Sequence, residues 1–533
     1  MANVSLSPVV RPARNLWHKA PLWMHCVVVA TAALLATGFV FVSANWPYRY
    51  RKIKPMLEDV LASQVKISRY HRTYFPHPGF VATGITMRRK SAPDLPPLGS
   101  VETMAVQGSW LDLVMLRDRV QLVDVTGLHI VVPPIGSREN HEDFPPGSSA
   151  DFEGPTTKID RMVIHRSLLD IMRADGNRLS FPIAQLELRN VHKGEAMTYA
   201  VDMRNAQPAG HIQAHGGLGP MQPNNMGTTA VSGEFTFSSV ELHDVGDISG
   251  TLDSRGEFEG TLGAIEANAT AETPNFAVDQ GQQSFVRGKI HCTIDGTNGN
   301  LDISSIVVAT GRTSVLTKGT IAGSPKVANL DFAMTRGRAE DVLRPFMHGD
   351  VPIAGPVWLH GHAFVGPAGN GAGFLQRLRV DGAFSVPAER ILDKQTQKSL
   401  SEFSRRAQGN KPENPNANTE DRTESSSADA LSSLKGPVTI RDGIASTERL
   451  NFQVPGAQAN LAGTFNFHNQ NVHLLGNLKM DEDVSHTATG FKSWLLKPLA
   501  PFFKKKHVAA LVPIAVTGGP GNYKVRSDLT HSK

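Results

Sequence analysis

From about residue 65 onward the chain is written in period two. Runs such as Val231-Ser-Gly-Glu-Phe-Thr-Phe237, Leu450-Asn-Phe-Gln-Val454, Leu461-Ala-Gly-Thr-Phe-Asn-Phe467 and Val472-His-Leu-Leu-Gly-Asn-Leu-Lys-Met480 set apolar against polar residues and stop at Gly, Asn, Asp or Pro. Successive side chains of an extended strand point to opposite faces, so each run predicts a strand with one apolar face, joined to the next by a turn.

A smaller device recurs inside these runs: Gly, any residue, then an apolar one. It stands at Gly233-Glu-Phe235, Gly250-Thr-Leu252, Gly256-Glu-Phe258, Gly260-Thr-Leu262, Gly288-Lys-Ile290, Gly319-Thr-Ile321, Gly382-Ala-Phe384, Gly463-Thr-Phe465 and Gly476-Asn-Leu478. The spacing is irregular, which excludes a fixed-period solenoid. In extended backbone the Gly and the apolar residue share a face, and Gly lets the strand bend. The fold class expected is mainly β: a long curved antiparallel sheet with a few short helices, preceded by one membrane-spanning helix.

That helix is predicted from Pro21 to Trp46, where there is no Asp, Glu, Lys or Arg. About 20 apolar residues cross a bilayer core, so the run is long enough with some tilt. Trp17, Trp23, Trp46, Tyr48 and Tyr50 flank it as an aromatic belt would. A secretory signal has a shorter apolar core and a small-residue cleavage site, whereas Trp46-Pro47-Tyr48-Arg49 follows here. Arg11, Arg14 and Lys19 precede the run and Arg49, Arg51, Lys52 and Lys54 follow it, so charge alone does not choose a side. A short cytoplasmic tail with the large body outside the cytoplasm is the expected arrangement.

Helical spacing is brief elsewhere. Met56, Leu57, Val60 and Leu61 predict a helix over 55–65 with Pro55 in its first turn. Ala339 to Met347 predicts a short helix ending near Pro345, and Ala388 to Arg406 a longer one. Gln408 to Ser427 is polar, without a large apolar residue, and is expected to be a disordered loop. Gly490 to Phe503 is the last helical candidate. These features divide the chain into a tail (1–20), a membrane helix (21–46), an N-terminal β region (47–230), a middle β-groove region (231–387), a helix with polar loop (388–435) and a C-terminal β module with an amphipathic helix (436–533).

Composition narrows the chemistry. The 533 residues carry 54 basic and 49 acidic side chains, a net charge of +5 spread along the chain, which is no footprint for nucleic acid. Forty-eight Gly and 34 Pro imply many turns, yet 40% hydrophobic content excludes wholesale disorder. Cys26 and Cys292 are too few for a disulfide framework or a Cys-based zinc site. His360-Gly-His362 would put two imidazoles on one strand face, but no third ligand can be named. Gly366-Pro-Ala-Gly-Asn-Gly-Ala-Gly373 lacks the Lys-Ser/Thr of a phosphate loop and is not expected to open a helix. Asp481-Glu-Asp483 with His486 fits a polar turn, and neither a Gly-x-Ser-x-Gly elbow nor a His-Glu-x-x-His motif occurs. No catalytic residue, metal ligand or cofactor is therefore assigned, and a non-enzymatic role is expected.

Strands with one apolar face leave two architectures open. They can pair into closed sandwiches, or one sheet can curl into a trough whose apolar inner face holds lipid chains. Several segments resemble the AsmA family of bacterial membrane-anchored envelope proteins. The likeness is general at the amino terminus, in the single span, the short helix after it and strands around Val65-Lys-Ile67 and Tyr74-Phe-Pro-His-Pro-Gly-Phe80. It is more specific in Leu450-Asn-Phe-Gln-Val-Pro-Gly-Ala457, Leu475-Gly-Asn-Leu-Lys-Met480, Thr489-Gly-Phe-Lys-Ser-Trp-Leu-Leu-Lys-Pro498, Pro501-Phe-Phe-Lys504 and Val512-Pro-Ile-Ala-Val-Thr-Gly518. The polar insert from Gln408 to Ser427 departs from it. That family is similar in architecture to bridge-like lipid-transfer proteins. The resemblance implies an inner-membrane anchor, a periplasmic β-groove, phospholipid as ligand and a role in outer-membrane biogenesis, with the outer membrane or a protein in it as a further partner.

Alternation then proposes the groove lining: Phe235, Phe237, Leu252, Phe258, Leu262, Ile303, Phe332, Phe384, Phe452, Leu461, Phe465, Leu474 and Leu478. Trp494, Leu495, Leu499, Phe502 and Phe503, followed by Lys504-Lys-Lys506, are expected to form a membrane-contacting helix or to pack on the last strands. The alternative function is a periplasmic structural or regulatory assembly factor with a closed β core and no lipid. An envelope enzyme acting on glycans would need a polar cleft with paired carboxylates.

Overall fold

In a computed structural model the chain is described over residues 46–60, 63–88, 96–133, 157–172, 178–222, 225–323, 325–351, 353–367, 372–391, 432–480, 512–519 and 524–527. The expected membrane span, the polar insert, the Asp481 cluster and the helix carrying Trp494, Leu495, Leu499, Phe502 and Phe503 lie outside these residues, apart from Trp46 at the end of the span. No described helix is long and apolar enough to cross a membrane.

The described residues form one long curved sheet, running strand by strand from Gln64–Thr73 to Lys524–Ser527 without closing on itself. Nearly every strand pairs antiparallel with its predecessor. The exception corrects the all-antiparallel expectation: Arg119–Val132 and Lys158–Met172 run parallel, Val123 opposite Met162. A parallel pair needs a connection of a dozen or more residues to bring the chain back, and residues 133–157 supply it. The two-residue strands Ile248–Ser249 and Ile353–Ala354 pair beside the main ladder. Pairing is continuous across 230/231, because Ala230–Glu241 pairs with Ala209–Leu218, and 435/436 falls inside the strand Ser432–Arg441.

Several boundaries shift. The first helix spans Tyr50–Val60 with Pro55 inside it, and Val65 belongs to the first strand. Spacing from Met56 onward missed Ile53, which with Leu57 packs into the core. Glu58 closes the junction, its carboxylate accepting from the Val65 amide at 3.1 Å. Tyr74 to Pro78 is a turn, not a strand: Pro76 and Pro78 have no amide to donate, and the next strand opens at Gly79. The expected helix at Ala388 does not begin there, because Leu378–Ile391 continues as a strand with Glu389 opposite Ser432. The glycine-rich stretch does meet a helix, the single turn Phe374–Arg377, whose start at Gly373 is held by the Gln376 side chain at 3.3 Å. Ala339–Leu343 followed by a 3-10 turn over Arg344–Phe346 matches the spacing.

The largest core sits at the amino-terminal end, where Trp46, Tyr48 and Ile53 pack against Val65, Phe80, Ile85, Val101 and Val123. Trp46 is 2% exposed and meets the rings of Tyr48, Tyr74 and Trp110, so it is packed into the body of the protein. Tyr70 fixes this entry segment, its hydroxyl donating to the Tyr48 carbonyl at 2.7 Å.

Candidate functional site

Partners directly opposite in an antiparallel ladder lie on the same face, so register can be followed from strand to strand. From Phe235 the chain of partners runs through Gly256, Ala269, Ile290 and Ile306 to Thr317, then through Phe332 and Gly361 to Gly382. It continues by Val386, Leu434, Phe452, Ala459 and Leu478 to Val512. Twelve of the thirteen residues proposed from alternation share this one face: Phe235, Phe237, Leu252, Phe258, Ile303, Phe332, Phe384, Phe452, Leu461, Phe465, Leu474 and Leu478. None of the twelve is exposed. Leu262 is the correction: it lies in the turn after the strand Thr251–Thr261, where its amide donates to Thr229. Alternation could not see that the strand ends one residue earlier.

From Met197–Ala206 to Val472–Met480 the register puts one charged residue on this face, Glu389, which falls opposite Ser432 beyond a bulge near the end of its strand; no other Asp, Glu, Lys or Arg pairs onto it. Other bulges preserve it. Where register shifts between His291 and Cys292, Ile303 and Ile306 both remain on the apolar side. The opposite face is charged and tied by ion pairs such as Arg287–Glu272 at 3.0 Å and Arg441–Asp381 at 2.7 Å, exposed pairs worth about 0–1 kcal/mol each.

Glycines of the recurring device let this face turn inward. Gly319 and Gly463 have φ of +142° and +148°, and a Cβ on either would overlap the carbonyl oxygen of Asn329 or His473 on the next strand. Side chains rarely adopt such a backbone.

The coiling brings opposite rims together. Asp279 follows the strand Ala264–Val278 at one rim; His468 follows Ala457–Asn466 at the other, and their side chains meet at 2.7 Å. Phe346 and Phe467 make a second rim contact, with ring centroids 6.0 Å apart. Nine strand steps separate Asp279 from His468, roughly 43 Å along a flat sheet. Combined with the roughly 37 Å of an 11-residue strand, the closed path is about 57 Å, giving a diameter of about 18 Å. Packed sheets with interlocking side chains lie about 10 Å apart, about 8 Å less than this diameter.

At the amino-terminal end the space is a cavity of about 830 Å³ between the helix Tyr50–Val60 and the sheet, lined by Ile53, Leu57, Phe80, Met104, Val125 and Met162 among others. Leu113, Val114 and Leu116, from the connection after the third strand, form part of its wall. Sequence inspection did not single out this connection.

The most deeply buried ionisable group among the described residues is Asp170, 0% exposed on the polar side of its strand. Burial raises its carboxyl, but hydrogen bonds from Ser180 (2.6 Å) and His129 (2.8 Å), with the charge of Arg178, outweigh this and hold it below the usual carboxylate range. The Ser180 hydroxyl donates to Asp170. The arrangement pins three strands, Arg119–Val132, Lys158–Met172 and Arg178–Val191. His362 pairs with Asp331 at 2.9 Å, and no three His, Cys, Asp or Glu side chains gather as a metal site among the described residues. Cys292 is buried on the apolar face, and burial pushes its thiol up, so it behaves as a small hydrophobe. No protein-family model matches the sequence, and no curated protein matches it.

Proposed function

We propose that the protein is a membrane-anchored conduit that binds phospholipid by its acyl chains along the apolar trough. The observation that carries this reading is the continuity of the apolar face from strand to strand, combined with a sheet that coils without closing its ladder. A closed sandwich would fill that face with a second sheet. Here the strands contact chiefly their neighbours and the rims, so hydrocarbon is the natural filling, at about 0.8 kcal/mol per CH₂ removed from water. The uncharged run from Pro21 to Trp46 supports a single span, and the resemblance to the AsmA family supports an inner-membrane anchor, a periplasmic body and a role in outer-membrane biogenesis. The process proposed is transfer, with no covalent step.

Native mass spectrometry of the full chain in mild detergent tests this. Several phospholipids bound per chain are expected. A folded, lipid-free protein would overturn the conduit and leave the assembly-factor alternative.

A further inference from the structure

Large exposed apolar side chains are not scattered over this protein. Thirteen are exposed among the described residues, and nine of them lie between Tyr50 and Leu116. Seven of those nine occupy two connections: Tyr74 and Phe75 in the turn after the first strand, and Trp110, Leu111, Val114, Met115 and Leu116 in and just after the one-turn helix Trp110–Val114 that follows the third. Phe75 is 89% exposed and Leu116 78%. The connections are stitched together, Gly108 N donating to the Pro78 carbonyl at 2.7 Å, and the Trp46 ring packs on both Tyr74 (4.7 Å) and Trp110 (5.9 Å). Isolated exposed apolar residues are ordinary, but a contiguous cluster marks an interaction surface.

Two observations select the partner. Trp46 is the last residue of the uncharged run that begins at Pro21, so the apolar stretch of chain arrives at this cluster. The helix and first strand that lead into the cluster are positively charged: residues 46–80 hold seven basic and two acidic side chains, an excess equal to the net charge of the whole chain. Arg51, Lys52, Lys66, Arg69 and Arg72 are all exposed. A second copy would bring like charge against like, whereas anionic lipid headgroups attract basic residues beside an apolar wedge.

We propose that these two connections form a tip that inserts into the face of a phospholipid bilayer carrying anionic headgroups. The tip seats the amino-terminal end of the trough on the membrane. Leu113, Val114 and Leu116 also wall the 830 Å³ cavity, so the inserted tip is at once the lip of the trough. The inference deepens the membrane-anchored reading and rests on it for the position of the bilayer, not for the contents of the groove.

The test uses the full chain with Cys26→Ala and Cys292→Ala, spin-labelled at Val114→Cys or Phe75→Cys, and at Lys289→Cys on the exposed polar face as reference. In phosphatidylcholine nanodiscs containing phosphatidylglycerol, the ratio of collisions with oxygen to collisions with a water-soluble nickel chelate should be several-fold higher at 114 and 75 than at 289. Equal ratios would overturn the proposal, as would labels shielded from both reagents in a particle of doubled protein mass, which means a second copy covers the face. Unchanged depth without phosphatidylglycerol would overturn the requirement for anionic lipid. Inserted labels on a protein without bound lipid by native mass spectrometry would sink the conduit and support the tip; bound lipid with water-exposed labels would do the reverse.

Discussion

Phe258→Glu puts one charge in the middle of the trough, on the strand Thr251–Thr261, where the Phe258 ring lies 6.3 Å from that of Phe235 and packs beside the buried Ala267. A carboxylate there retains its hydration, and hydrocarbon passing over it must stay wet or move away. If four methylenes lose their burial at about 0.8 kcal/mol each, retention weakens by about 3 kcal/mol, roughly 200-fold. The ring is half-buried and faces the open interior, so folding should lose less, on the order of 1–2 kcal/mol. Glu257→Lys is the control: the neighbouring residue is exposed on the other face, and reversing its charge should leave bound lipid unchanged. The assay is phospholipid extracted per mole of folded protein, with circular dichroism to verify the fold. Equal lipid in wild type and Phe258→Glu would refute the assignment of this face, and so would equal loss in both variants.

Gly463→Val forces a branched side chain onto a backbone with φ of +148° and against the His473 carbonyl, and should cost about 1–3 kcal/mol in urea unfolding, while Thr464→Val on the exposed side should change little. A stable Gly463→Val would remove glycine's role in the coil. The Asp170 carboxyl titrates lower folded than unfolded, so its stabilisation is complete above about pH 4, the unfolded value, and is lost as pH falls through the lower folded one. The stability gap between wild type and Asp170→Asn, from urea midpoints, should therefore narrow in acid; a gap independent of pH contradicts this. Tyr70→Phe removes the bond to the Tyr48 carbonyl and should cost about 1 kcal/mol, seen as faster hydrogen exchange over Tyr50–Val60. Burial pushes the Tyr70 phenol up to about 12, so raising the pH to 10 should not reproduce the effect.

Alternation is a local property, and it identified the lining where strands are regular: Phe332, Phe384 and Leu474 needed only their own strand and its period. It failed at ends. Leu262 continues the pattern into a turn, Tyr74 to Pro78 is a turn where the family resemblance implied a strand, and Ile53 escapes because the helical spacing starts at Met56. The parallel pair of Arg119–Val132 with Lys158–Met172 was invisible, since both strands have ordinary patterns and only the path between them sets their direction. Trp110 to Leu116 has enough apolar residues for a core helix, and nothing local states that they stay uncovered.

The sequence by itself determined that the chain makes one-faced strands in succession, because side-chain direction in extended backbone follows from covalent geometry. It also determined that an uncharged run precedes them. Tertiary structure alone decided that those faces join into one surface, that Asp279 meets His468 across nine strand steps, and that two connections crowd around Trp46 with their apolar residues exposed. These depend on how small twists and bulges accumulate over many strands, a sum that no window of residues contains.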